Sequence, residues 1–186
     1  MNFQKVAIPV LKPWQDTFVR ESYYGGATDV YTLTAKLLYY LDVNSLYPFA
    51  MLNDMPLIPT DIIIEEDKLK LIHLDDIFGF VKVIVKCPEN LKRPVLPIKY
   101  KGKTIYPTGS WIGTYFTEEL KEINRLNLGY SFQIIEAHTY TRGKIFNKFV
   151  EHFFEIKKNS RGVERFLAKL CLNSLYGMFY SSKGES

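Results

Sequence analysis

Apolar and polar positions change period along the chain, and each change marks an element. From Gly79 to Val85, Val81, Val83 and Val85 share one parity and Phe80, Lys82, Ile84 and Lys86 the other. That alternation predicts a strand with one buried face. Ile62-Ile63-Ile64 is a second β-rich run, and Lys101-Gly102-Lys103 lies between two strand-like pieces as a hairpin turn. Leu37 to Asp42 is short, apolar and aromatic, which predicts a buried strand. Asn44 and Ser45 follow as turn or cap residues, and Pro48 suits the first turn of a short helix ending near Leu52. Tyr106 to Gly113 reads as a loop around one large aromatic, and residues 53–116 as mainly strands and turns. Thr117 is placed to cap a helix from Glu118 to about Asn127, with acids in its first turn and Gly129 beyond its end. After residue 145 the period becomes helical. Phe146, Phe149, Val150, Phe153 and Phe154 recur at steps of three and four, and Lys157 to Gly162 forms a basic turn. Ser160 is placed to cap a second helix over about 163–179. Residues 1–26, with Pro9, Pro13 and Gly25-Gly26, read as an extended linker. The sum is an α+β chain.

Composition narrows the class. The 186 residues are 47% hydrophobic and 24% charged, an ordinary globular mix. No apolar run approaches the length of a membrane span, and no signal or transit pattern opens the chain. Two cysteines, Cys87 and Cys171, read as reduced packing thiols rather than a disulfide framework. The net charge of +4 is mild, but it is unevenly spread. Residues 142–173 and residues 86–103 each carry a net +5, whereas 61–76 carries −4. Basic stretches interleaved with aromatics suit a polyanion with stacking faces, such as exposed nucleic acid.

Three constellations carry candidate chemistry. In Leu41-Asp42-Val43-Asn44-Ser45-Leu46-Tyr47-Pro48 a carboxylate ends an apolar stretch just before a turn and a helix start. Such a carboxylate suits Mg²⁺ shared with phosphate oxygens, or simply caps the turn. Arg165, Lys169, Asn173 and Tyr176 are spaced to form one helical stripe. Two cations, an amide and a phenol could line the path of a nucleoside triphosphate, or form a solvated basic face. Leu167, Leu170 and Leu175 lie off that stripe and are expected to pack. Tyr23-Tyr24-Gly25-Gly26 combines stacking faces with a backbone that a sugar-phosphate chain can approach, or is a plain turn. His73, His138 and His152 sit at no metal-ligand spacing, and no nucleophile elbow, Walker loop or dinucleotide fingerprint is present.

Together these pieces resemble the protein-primed branch of family B DNA polymerases. Asp42-Val-Asn-Ser-Leu-Tyr-Pro48 resembles the first polymerase motif. Lys169-Leu-Cys-Leu-Asn-Ser-Leu-Tyr-Gly177 resembles the second, and Tyr23-Tyr-Gly-Gly26 the element that precedes the first. Gly109-Ser-Trp-Ile-Gly-Thr-Tyr-Phe-Thr-Glu-Glu-Leu120 is similar to a stretch in polymerases of linear mitochondrial plasmids. The resemblance implies a partial palm at residues 27–53 and a mostly β insertion facing a terminal protein at 54–144. Two-helix fingers would occupy 145–180, with a tail at 181–186. It implies that Asp42 and the Val43 carbonyl hold metal in a two-Mg²⁺ nucleotidyl transfer. Tyr47 would lie under the sugar of the incoming nucleotide. Lys157, Arg165 and Lys169 would hold the triphosphate, and Asn173 and Tyr176 the nucleotide or nascent base pair. Tyr23, Gly25 and Gly26 would contact template. The implied partners are DNA template and primer, a deoxynucleoside triphosphate and a terminal protein, with no membrane. The implied setting is the mitochondrion, with a phage or virus as the rival.

The third motif, which supplies the other metal carboxylate, is not found within the 186 residues. Asp29, Asp54, Asp75 and Asp76 lack its context. The chain is therefore expected to be a polymerase fragment without activity of its own. The alternative is a non-catalytic remnant that binds nucleic acid or a terminal protein.

Overall fold

The computed structural model describes residues 9–28, 30–43 and 45–181, the last six as backbone. Asp29, Asn44 and the outer parts of the expected linker and tail lie outside these residues. The chain divides into two compact units. Unit 2 comprises Pro9–Tyr31 and Pro56–Thr141, and unit 1 comprises Thr32–Met55 with the chain from Arg142 on.

Unit 2 is built on a four-stranded sheet of β1 (Met55–Ile63), β6 (Ser131–Gly143), β2 (Gly79–Cys87) and β5 (Gly109–Phe116), in that spatial order. β2 runs antiparallel to both neighbours, with a bulge on β6 where the register shifts between Lys82 and Val83. Val81, Val83 and Val85 are wholly buried, as their parity predicts, while Phe80, Lys82 and Ile84 are half-buried. Helix α4 (Thr117–Arg125) lays Leu120 and Ile123 on that valine face with Tyr115 and Ala137. Lys101 and Gly102, both at positive φ, turn the hairpin of β3 (Ile98–Tyr100) and β4 (Lys103–Ile105) as expected.

Several expectations are corrected in unit 2. Residues 13–21 are not extended but form helix α1 (Pro13–Glu21). Pro13 sits at its first position, where its fixed φ suits a helix and its missing N–H costs nothing. The Lys12 N–H donates to the Gln15 side chain at 3.1 Å, and Arg20 pairs with Asp16 at 2.9 Å. Phe18 then stacks on buried His138 at 3.7 Å. Residues 109–113 are not loop but the start of β5, paired to β2 from Gly109. Thr117 does not cap α4. It is already the first helical residue, and its buried hydroxyl accepts the Gly79 N–H at 3.1 Å. Short helices, α3 (Glu66–Leu69) and a 3₁₀ turn at Leu74–Asp76, interrupt the stretch read as strand and turn. The sheet's longest strand, β6, occupies a stretch for which the pattern offered no element.

Unit 1 contains α2 (Leu46–Ala50), α5 (Asn147–Asn159) and α6 (Gly162–Ser181). Met51, Val150 and Leu172 are its buried centre, with Phe146, Phe149, Phe153 and Leu175 packed around them. Phe154 falls outside that face, with 48% of its surface exposed. The α6 residues that bury are Ala168 and Leu172, whereas Leu167 and Leu170 are exposed, contrary to expectation. Ser160 ends α5 rather than capping α6, and Gly162, at φ +61°, opens α6.

The expected strand over 37–42 does not form. A strand needs neighbours for its N–H and C=O groups. Among the described residues, no strand pairs with this stretch. Leu37 to Leu41 are consequently 71–94% exposed.

Candidate functional site

Unit 1 brings together two segments far apart in sequence. Asp42 to Tyr47 leads into α2, whose C-terminal Met51 packs with Leu172 of α6 and Val150 of α5. Asp42 and Val43 are exposed in the extended approach. Ser45 turns the chain in the left-handed region, at φ 55° and ψ 47°, and its carbonyl accepts the Phe49 N–H at 3.0 Å. Its hydroxyl accepts a hydrogen bond from Lys157 Nζ at 2.7 Å, with that ammonium also 5.9 Å from the Phe154 ring centroid. The last turn of α5 is thereby tied to the turn after Asp42. Tyr47 is half-exposed, while Pro48 beside it is buried and anchors the helix.

The α6 stripe is real as far as the described side chains reach. Arg165, Lys169 and Asn173 are all exposed, beside the buried Ala168 and Leu172. Neither Arg165 nor Lys169 forms an ion pair among the described residues. The Tyr176 side chain lies outside the described residues. The arrangement offers exposed cations for a polyanion and, at Asp42, an exposed carboxylate.

Tyr23, Gly25 and Gly26 belong to unit 2 and follow α1. Both glycines have open space where a Cβ would stand, and neither has positive φ. Among the described residues nothing requires glycine there. Tyr24 packs inward, its ring 5.5 Å from that of Tyr115. Burial pushes the Tyr24 hydroxyl above its ordinary pKa, and the charges of Glu119 and Glu21 add to the shift.

The model of the family described as DNA polymerase type B, organellar and viral, matches residues 1–182. The chain belongs to that family. A probable DNA polymerase of Podospora anserina is 39% identical over 166 residues, covering 88% of this chain and 13% of the relative. The DNA polymerase of Bacillus phage PZA is 30% identical over 202 residues, covering 97% of this chain and 33% of the relative. The solved phi29 DNA polymerase, complexed with primer-template DNA and incoming nucleotide substrates, superposes with a TM-score of 0.64 at 25% identity. That match covers 96% of this chain and 33% of the other. This type B polymerase chain thus spans 13% to 33% of the length of these relatives.

Sequence reasoning missed Ser45 as the partner of Lys157, because the pairing spans 112 residues. It also gave no reason for the Gly109–Leu120 stretch, which the packing supplies. Trp111 Nε1 donates to the Tyr115 hydroxyl at 2.9 Å, and that hydroxyl donates to the Pro97 carbonyl at 2.8 Å. A Cβ on Gly113 would stand 2.6 Å from the Tyr115 ring. The Thr114 hydroxyl donates to Glu21 at 3.0 Å. These residues hold α1 and the 88–97 connection against β5, so the packing of this stretch is architectural.

Proposed function

We propose that this chain carries the incoming-nucleotide side of a protein-primed DNA polymerase. Residues 27–53 would be part of the palm, 54–144 the insertion facing a terminal protein, and 145–180 the fingers. The observation that carries the reading is that one compact unit holds both motif segments, with Ser45 of the first bonded to Lys157 of α5 and Leu172 of the second packed on Met51 at the end of α2. Asp42, with the Val43 carbonyl, would hold Mg²⁺ shared with triphosphate oxygens. When bound, the metal neutralises charge on the phosphates and activates a primer hydroxyl. Among the described residues no cluster of three or more His, Cys, Asp or Glu could hold a metal. One carboxylate fits an ion completed by substrate oxygens and fits no all-protein cage. Lys169, Arg165 and Lys157 would take the triphosphate, Tyr47 would exclude a 2′-hydroxyl, and Asn173 with Tyr176 would meet the nascent pair. Tyr23, Gly25 and Gly26 would contact template, which supplies the reason for glycine that the chain's own packing lacks. Replication of an organellar genome or plasmid, mitochondrial first and phage or viral second, is the proposed setting.

The resemblance places the other metal carboxylate in a motif absent from these 186 residues, so the chain alone is expected not to extend a primed template. The test is titration of the chain with a fluorescent deoxynucleoside triphosphate. Lys169→Ala is expected to weaken binding about tenfold, the loss of one charge-assisted contact. Unchanged affinity would remove Lys169 from the role.

A further inference from the structure

Strand β6 outruns its neighbour β1. Side-chain contacts set their register: the Thr60 and Thr139 hydroxyls meet at 2.7 Å, and the Ile58 N–H donates to the Thr141 hydroxyl at 3.1 Å. Carried along the antiparallel pair, that register sets Ile63, the last residue of β1, opposite Glu136. The chain then turns away into α3. Residues 131–135 of β6 therefore have β2 on one side and, among the described residues, no strand on the other. Alternate residues of such an edge turn their N–H and C=O groups outward, a template for another strand. The edge also has an apolar cleft along it. Phe132 and Ile134 line about 590 Å³ of space with Leu69, Ile72 and Leu74. The 61–76 segment that walls this cleft is acidic. Glu65 and Glu66 pair with Lys68 and Lys70. Asp61, Asp67, Asp75 and Asp76 are exposed and form no ion pair among the described residues.

We propose that the free β6 edge takes an extended, basic segment of a partner protein as a fifth strand. Apolar side chains at alternate positions enter the cleft, and flanking Lys or Arg side chains meet Asp67, Asp75 and Asp76. Main-chain hydrogen bonds supply affinity, and the cleft and the carboxylates select the sequence. Five residues of edge span about 17 Å, which fixes the length of the paired segment. This goes beyond the nucleotide site, uses no residue of either motif and does not depend on a terminal protein as the partner. The charge disfavours two other occupants. A phosphate backbone would be repelled by the same carboxylates, and a second copy pairing edge to edge would bring two acidic segments together. The sheet's outer edges suit this partner less. β1 carries Pro56 and Pro59, which lack the N–H a neighbouring strand needs. The cleft beside β5 holds Arg20, Lys82 and Lys99 with Glu21, a surplus of positive charge.

The experiment is anisotropy of a fluorescein-labelled peptide, Lys-Lys-Val-Thr-Ile-Thr-Val-Lys-Lys, titrated with the full chain, with amide hydrogen exchange followed on the chain. Binding is expected to slow exchange within residues 131–135 at least about tenfold. Two further peptides are N-methylated, one at Val and Ile and the other at the two Thr. A strand paired along one edge predicts that one of them loses at least about tenfold in affinity while the other keeps it. Asp67→Asn/Asp75→Asn/Asp76→Asn, on exposed side chains and checked for an unchanged circular dichroism spectrum, is expected to weaken binding about tenfold at low salt and less as salt rises. No binding up to about 1 mM peptide would overturn the proposal. So would equal effects of the two methylations, unchanged affinity in the triple variant, or protection at residues 109–116 in place of 131–135. Protection of 131–135 that grows with the chain's own concentration, without peptide, would give the edge to a second copy and overturn it as well.

Discussion

The two units differ in how far they satisfy themselves. In unit 2 the valine face of β2 is wholly buried under α4, and Thr117, Tyr115 and Trp111 find partners within the unit. In unit 1 three buried residues form the centre, and the approach to Asp42 leaves Leu37 to Leu41 exposed. Both carry apolar sequence, but only unit 2 converts it into closed packing. The unit with the larger core is mostly closed, and the unit that holds Asp42 and the α6 stripe leaves those side chains exposed.

The comparison breaks first at Gly79, whose φ is +153° and whose Cβ would stand 2.1 Å from the His138 backbone oxygen. Gly79→Ala should destabilise unit 2 by about 4 kcal/mol, from backbone strain plus overpacking, measured by urea unfolding. A loss under about 1 kcal/mol would show that β2 can shift there. Leucine truncations sharpen the contrast. Leu120→Ala should cost about 3 kcal/mol and Leu172→Ala about 2, because half-buried phenylalanines can relax into the smaller centre. Equal losses would remove the distinction between the two cores.

Alkaline pH should also act on unit 2. Burial pushes the Tyr130 hydroxyl up to about 12, and pushes Tyr115 higher still. A folded-state pKa raised above the unfolded value means that the unfolded chain loses its proton first. Stability is therefore full below about pH 10 and declines as pH rises towards about 12. Tyrosinate absorbance followed alongside unfolding should show ionisation of these groups coinciding with loss of the sheet. Ionisation without unfolding would contradict it. Ser45→Ala should cost about 1 kcal/mol, one hydrogen bond to a charged group, and should weaken nucleotide binding through freed Lys157. The smallest effect on stability is expected at Gly25→Ala, within about 0.5 kcal/mol, because open space surrounds it. The same change should weaken template-strand binding if the proposed contact exists.

Local chemistry was enough to read β2's buried parity, the Lys101–Gly102 hairpin, the helix after Phe116 and the α5–α6 pair, since each depends on neighbours within a few residues. The family was legible for the same reason: its motifs are contiguous. Fold position could not be read locally. Pro13 looked like a break until the Lys12–Gln15 contact and the Phe18–His138 stack made it a helix start. Thr117 looked like a cap until a strand 38 residues away claimed its hydroxyl. Residues 37–42 have the composition of a buried strand, but composition cannot supply the partner that a strand requires. The sequence by itself determined which residues could carry chemistry. The tertiary structure decided which of them meet, because hydrogen bonds and buried faces are completed by residues far along the chain.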